Sequence, residues 1–250
     1  QRIQNRKWDY LGDAASEKLI TELAIREPLV TKPHLKELEV RLSPSMSAAV
    51  DARNIQMLDQ SVTSDERFGE SDNLQELKGR YYYVYHFIKG MDSALQQISR
   101  GDLSQEHLTP YILECRHYRK RYDIWKKARE IMKFREWYPG AASRVRGIDA
   151  CSQEIGCRPE VFAPIFRLLG CHTATEFRDG VEIPLPKLGK TYHVGEDFLD
   201  LIDGLRAIQE AVYFLNLDCG DRLGHAIALG VDVDNWYAGK QNRIALPVQD

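Results

Sequence analysis

Two short segments bring together residue types that do chemistry as a set. TYHVGED at 191–197 carries His193 and Glu196, and DRLGHA at 221–226 carries His225. A neutral imidazole is a good zinc ligand, and zinc lowers the pKa of a bound water to about 7. Hydrolytic attack on an aromatic C–N bond needs such a hydroxide, and a proton for the ring nitrogen as the carbon becomes tetrahedral. A carboxylic acid held away from bulk water keeps that proton and delivers it. Glu196 stands three residues beyond His193, past Gly195, and the glycine lets the chain turn sharply so that ligand and acid face one pocket. His225 is placed to orient or deprotonate the water. Taken singly, each histidine is more often a hydrogen-bonded core or loop residue than a ligand. Glu196 alone also reads as a helix N-terminal carboxylate, though Asp197 fits the cap better. The combination is what favours chemistry.

These residues need a scaffold that delivers them from strand ends. Short runs rich in β-branched and aromatic residues read as strands at Leu38–Leu42, Tyr82–Ile88, Val145–Ile148, Thr191–Val194 and Arg222–Ala226. Longer helical patterns alternate with them. In FLDLIDGLRAIQEAVYFLNL, Phe198, Leu201, Ile202, Leu205, Ile208, Val212 and Leu215 recur at steps of three and four. Asp197 is the expected cap of that helix, with Gly220 past its end. His107 to Trp137 reads as mostly helical, stopped by Pro139-Gly140. Residues 43–79 read as polar and irregular, either a loop over the site or a join.

Strand and long helix in alternation is the signature of parallel βαβ units. No GxGxxG or GxxxxGK[ST] follows any strand, so a glycine-loop nucleotide fold has no footing. In a (β/α)₈ barrel, chemistry gathers at the C-terminal strand ends. Ser43, Asp149, His193, Glu196 and His225 all fall there. The fold class expected is therefore α/β, a TIM-type (β/α)₈ barrel with additional helical segments. It is incomplete, because five strands are legible where closure needs eight. Residues 1–37 read as an N-terminal helical or irregular segment and 38–250 as the partial barrel. The opening at Gln1 and the ending LPVQD suggest an interior piece of a longer protein.

The 250 residues are 43% apolar and 28% charged, with a net charge of −3. That excludes a strong global field for nucleic acid or acidic membranes. No run is long and apolar enough for a membrane helix. The five cysteines include no CxxC pair and read as reduced thiols of a cytoplasmic protein. Cys151 and Cys157 read as packing thiols, and His86 in YYYVYHFIK as part of a buried strand. Arg116 to Arg135 holds nine Lys or Arg, interleaved with Tyr118, Tyr122, Trp125 and Phe134. It reads as a solvated basic face with an aromatic face packed inward, with RNA or phosphate binding as the alternative.

Four segments carry a family resemblance. HVGED resembles the HxGE element of the adenosine/AMP deaminase family, and DRLGHA its RxGHG element. GIDACSQE at 147–154 is similar to the family's GIDLAGDE strand end, and EVRLSP at 39–44 to its VRYSP strand. All four stand in the family's order. The resemblance implies that His193 is a ligand of Zn2+, that Glu196 protonates the purine ring nitrogen, and that His225 assists the attacking water. It places Asp149, Ser152 and Gly195 in the substrate pocket. Ser152 stands where the family has a glycine, and Ala226 replaces the glycine after the second histidine. Two family elements are absent: the HxH pair, which would precede EVRLSP, and the late aspartate pair TDDP. The chain thus carries one of the four protein zinc ligands.

The wording HVGEDFLDLIDGLRAI is closest to a large bacterial branch of the family, the adenosine-deaminase-like component of the RADAR antiphage system. That likeness implies a large homo-oligomer acting beside an ATPase partner. Its substrate would be an adenine nucleoside, an adenine nucleotide (ATP or dATP) or adenosines in RNA, converted to the inosine form. The other reading, from the missing HxH and from Ser152, is a non-catalytic barrel kept as an oligomeric shell or partner-binding subunit.

Overall fold

The computed structural model describes residues 14–32, 34–64, 74–92 and 115–244. Along the chain run α1 (Ala14–Thr31), β1 (Leu38–Leu42), α2 (Ala48–Thr63), α3 (Leu74–Gly79), β2 (Tyr81–Lys89), α4 (Tyr118–Trp137), α5 (Pro139–Ala142) and β3 (Val145–Ser152). A 3₁₀ turn (Pro159–Val161) then leads to α6 (Ala163–Cys171), the strands β4 (Thr175–Arg178) and β5 (Val181–Pro184), β6 (Gly189–Val194) and α7 (Leu201–Phe214). The last elements are β7 (Arg222–His225), a 3₁₀ turn (Ile227–Gly230) and α8 (Val233–Gly239).

Five strands form one parallel sheet in the order β1-β2-β3-β6-β7. Spatial order follows chain order, with β4 and β5 set aside as a separate antiparallel hairpin. A doubly wound sheet reverses its strand order at a switch point. This sheet does not. It is built as a barrel segment is built, each strand joining the outer edge of the one before.

The two faces of the sheet divide the chemistry. Tyr81, Tyr83, Tyr85 and Phe87 alternate along β2 and are buried. They join Ile148, Ala150, Tyr192 and Val194 in a core closed by helical residues. Ile55, Leu58 and Val62 come from α2, Ile124, Ile131 and Phe134 from α4, Phe166 and Leu169 from α6, and Ile208 and Ala211 from α7. Ile25 and Leu29 of α1 enter the same core. Each such side chain removed from water contributes about 1.5–3 kcal/mol. The period of two then puts Tyr82, His86, Asp149, Cys151, Thr191 and His193 on the other face.

Several expectations need correction. Residues 48–63 form a regular helix, not an irregular loop. Its buried side includes Asp51 and Asp59 beside Ala48, Ala52, Ile55, Leu58 and Val62, so polar residues on the packed face blurred the apolar period. The cap of α7 is Asp200, whose carboxylate accepts from the Ile202 amide at 3.4 Å, and not the exposed Asp197. Ile202 and Val212 of the expected apolar stripe are exposed. Of the helix read from His107, residues 107–114 lie outside the described residues. In α4 only Phe134 packs inward among its interleaved aromatics, while Tyr118, Tyr122 and Trp125 stay exposed and Arg135 is buried. No helix among the described residues is long and apolar enough to cross a membrane.

Candidate active site

The strand ends bring Asp149, His193, Glu196 and His225 into one cluster. Parallel register sets His86 of β2 beside Asp149 of β3, Asp149 beside Thr191 of β6, and His193 beside Gly224 of β7. His193 needs that glycine. A Cβ at position 224 would lie 2.7 Å from Cγ and Cδ2 of the imidazole, so only a bare backbone lets the ring lie flat there.

Asp149 organises the cluster. Its carboxylate is fully buried and touches three side chains. Oδ1 pairs with His193 Nδ1 at 2.9 Å, and Oδ2 with Arg41 Nη1 at 2.9 Å and His86 Nδ1 at 3.4 Å. Burial alone would raise its pKa, but the His86 hydrogen bond and the charges of His193 and Arg41 hold it below the ordinary carboxylate range. His86 responds in the opposite direction. Burial disfavours its charge, yet Asp149 and the neighbouring Cys151 push its pKa up to about 9.

Beyond β6 the chain turns through Gly195, at φ +75°. The turn is held from below by a carboxylate. Glu154, itself buried, accepts from the amides of Gly195 (2.8 Å), Glu196 (3.2 Å) and Asp197 (3.3 Å). Those amides thereby fix the direction in which Glu196 leaves the backbone. Lys89, also buried, donates to the His193 carbonyl at 2.6 Å and anchors the strand end from the other side. Burial pushes the Lys89 pKa down, opposed by Glu154 among others.

Glu196 Oε2 meets His225 Nε2 at 3.0 Å. The rings of His193 and His225 lie 5.4 Å apart, inclined at 55°. His225 and Ala226 both take positive φ, 61° and 49°. Two consecutive left-handed residues with side chains are costly, of order 1–3 kcal/mol each. The Ala226 amide repays part of this by bonding to the Val194 carbonyl at 3.0 Å. Ser152 is exposed at the end of β3 with φ +81°, the conformation a glycine takes without strain.

In the neutral imidazole, Nδ1–H donated to Asp149 turns the Nε2 lone pair away from the carboxylate, the arrangement seen in carboxylate–histidine–metal triads. The Arg41 guanidinium, with Nη1 at 3.1 Å, takes that lone pair, and a metal would have to displace it. The residues expected from sequence therefore converge as His193, Glu196 and His225, with Asp149 behind His193. No second ligand of the family's zinc set meets His193 Nε2 among the described residues.

Arg41, His86, Cys151 and Glu154 belong to the site although the sequence reading left them out. For His86 a signal existed: the alternation that buries Tyr81, Tyr83, Tyr85 and Phe87 must turn His86 to the opposite face. Glu154 closes the quoted GIDACSQE segment, but nothing in a linear pattern says that it reaches the 195–197 amides. Cys151, expected as a packing thiol, has its Sγ 3.3 Å from His86 Nε2.

No protein-family model matches the chain, and no curated protein matches it. Among solved structures it is similar to the adenine deaminase from Arthrobacter aurescens, with 13% identity and a TM-score of 0.40. The likeness covers 88% of this chain and 47% of that one, so the chain spans about half the length of the enzyme it resembles.

Proposed function

We propose that the chain carries the acid–base half of a metal-dependent, deaminase-like hydrolase that replaces the exocyclic amine of an adenine with oxygen. The observation that carries this reading is the Glu196–His225 pair, at 3.0 Å, beside a histidine whose tautomer is fixed by Asp149. All of these groups stand at C-terminal strand ends, where parallel α/β folds do their chemistry. The family motifs quoted above, in their family order, supply the substrate class.

In this reading Glu196 gives its proton to the purine ring nitrogen while water oxygen bonds to C6. His225 takes a proton from that water and passes it to the amine, so that ammonia leaves with the C–N electron pair while the new C6 hydroxyl returns a proton to Glu196. Glu154 and Lys89 hold the turn that aims Glu196. A zinc held by His193, together with ligands from outside the described residues, would lower the pKa of the attacking water. The substrate would be an adenine nucleoside, a nucleotide such as ATP or dATP, or adenosine in RNA. Membership of the antiphage branch, with its large oligomer and ATPase partner, is the finer form of the proposal and rests on the wording of 193–208 and 221–226.

The test is incubation of the full-length protein with adenosine, AMP, ATP, dATP and adenosine-containing RNA. Inosine products are expected from at least one. A zinc-loaded protein that releases no ammonia from any of them would defeat the proposal. One observation favours a second reading, a non-catalytic barrel serving as a shell or partner-binding subunit: the Arg41 guanidinium occupies the space in front of His193 Nε2. Full-length protein that binds no zinc and deaminates nothing would establish that reading instead.

A further inference from the structure

Within the same strand-end site, the proposed chemistry does not use His86 or Cys151, and it uses Asp149 only through the oxygen that faces His193. His86, Asp149 and Cys151 each offer one ligand atom, and the three atoms lie within 4.8 Å of one another. Around a tetrahedral zinc, with Zn–S about 2.3 Å and Zn–N and Zn–O about 2.0–2.1 Å, the S···N edge is about 3.6 Å and the N···O edge about 3.3 Å. Here Cys151 Sγ is 3.5 Å from His86 Nδ1, and His86 Nδ1 is 3.4 Å from Asp149 Oδ2. Two edges of a coordination tetrahedron are therefore already drawn by side chains from adjacent strands.

We infer that His86, Asp149 and Cys151 form a binding site for a divalent cation of the zinc class. The donor set is one sulfur, one imidazole nitrogen and one carboxylate oxygen, which suits a borderline-soft ion and not magnesium or calcium. Thiolate, carboxylate and neutral imidazole together balance the charge of a divalent ion, so the ion enters this half-buried site at little Coulombic cost. Three protein ligands leave a coordination position open, the pattern of a reactive rather than a purely structural site. Support from outside the ligand set is present. Asp149 keeps its second oxygen on His193 Nδ1 at 2.9 Å, which fixes the carboxylate plane. The ion would displace the Arg41 fork from Oδ2, and Arg41 retains a partner in Glu39 Oε1, 3.1 Å from its Nε. Cys151 is partly exposed at the strand end, which gives the ion an entry route.

This site shares no ligand with the zinc proposed at His193 and does not depend on the deaminase reading. The test is anaerobic titration of the reduced full-length protein with Co(II), followed by absorption. A thiolate-to-cobalt charge-transfer band is expected, bleached when zinc is added. Cys151→Ser should abolish the band and His86→Gln should weaken cobalt binding at least about tenfold. His193→Gln and Cys219→Ser should keep the band, since neither residue donates to this ion. Circular dichroism checks that each variant is folded. Should Cys151→Ser fail to fold, zinc protection of Cys151 from alkylation in the unaltered protein replaces it, and Cys151 labelled equally with and without zinc would count against the site. Cobalt bound without a thiolate band, a band that survives Cys151→Ser, or a folded protein that binds no cobalt would each overturn the inference.

Discussion

Glu196 and His225 stand as a pair 3.0 Å apart, and each is carried by backbone at or next to positive φ. Glu196 follows a glycine at positive φ, and His225 is itself left-handed. Strain of that kind persists only where surrounding contacts over-determine it. Here those contacts are the Glu154 carboxylate on three successive amides and the Ala226–Val194 bond. Glu196→Gln keeps the shape of the side chain beside His225 and removes the transferable proton. Activity should fall about 10²–10⁴-fold, with stability within about 0.5 kcal/mol of the parent. Initial rates and thermal unfolding measured on the same preparations check both halves of that statement. Gly224→Ala probes the neighbouring contact. Its Cβ would meet the His193 ring at 2.7 Å, so the imidazole must tilt off Asp149. We expect a loss of about 1–3 kcal/mol and, because a misplacement near 1 Å suffices, an activity loss of about 10²-fold. An unaltered rate in Gly224→Ala would mean that the position of His193 does not matter.

At the level of elements, β2 works at both ends. Its last turn of sequence delivers His86 and Lys89 to the site, while its first residues are tied down at the opposite end of the strand. Asp59 of α2 accepts from Tyr81 Oη at 2.8 Å and Tyr83 Oη at 2.7 Å, and pairs with Arg144 at 2.9 Å. The Arg144 guanidinium also lies over the Tyr81 ring, 4.5 Å from its centroid. Asp59→Ala leaves two tyrosine hydroxyls without their acceptor and removes the carboxylate partner of Arg144, whose guanidinium keeps the Lys78 carbonyl at 2.6 Å. That costs about 3–5 kcal/mol. Activity per folded molecule should be unchanged, because the network lies at the far end of β2 from His86. Denaturant midpoints and single-concentration rates separate the two effects. The same network explains what the sequence showed and what it hid. Each strand of the parallel sheet was visible as a short run, since alternation or β-branching is a local signal. Helix α2 was hidden because Asp51 and Asp59 sit on its packed face, Asp51 accepting from the Ser45 amide and Asp59 from Tyr81, Tyr83 and Arg144 far away in sequence. The β4–β5 hairpin was hidden because all of β5 and half of β4 stay exposed and none of either is buried, leaving no apolar period to read. At the site, His193, Glu196 and His225 were legible from spacing within two short segments. Arg41, His86 and Cys151 join them only through strand register.

On the scale of the whole molecule, the sheet separates a tyrosine-rich core from a face of paired charges. Glu39, Arg41, Arg222, His86, Asp149 and His193 pair with one another across five strands. The titration of Glu39, Asp149 and His86 gives the fold a pH dependence with a definite sign. Burial opposes charge on both Glu39 and Asp149. Arg222 and Arg41 nevertheless hold Glu39 below its ordinary range, and His86, His193 and Arg41 do the same for Asp149. A lowered carboxylate pKa gives stability that is present above the unfolded value, about 4, and lost as pH falls through the lower folded one. His86 runs the other way. In the metal-free protein its pKa rises to about 9 through Asp149 and Cys151, against the burial that works to lower it. That contribution is complete below the unfolded value of about 6.5 and disappears as pH climbs through about 9. The stabilisation from this face should therefore be fullest between about pH 4 and pH 6.5 and decline on both sides. Urea midpoints of chelator-treated protein across that range give the parent curve, and His86→Gln should flatten its alkaline limb while leaving the acid limb in place. An alkaline limb of equal depth in His86→Gln would show that the imidazole carries no charge in the folded protein, and that Asp149 draws its balance from Arg41 and His193 alone.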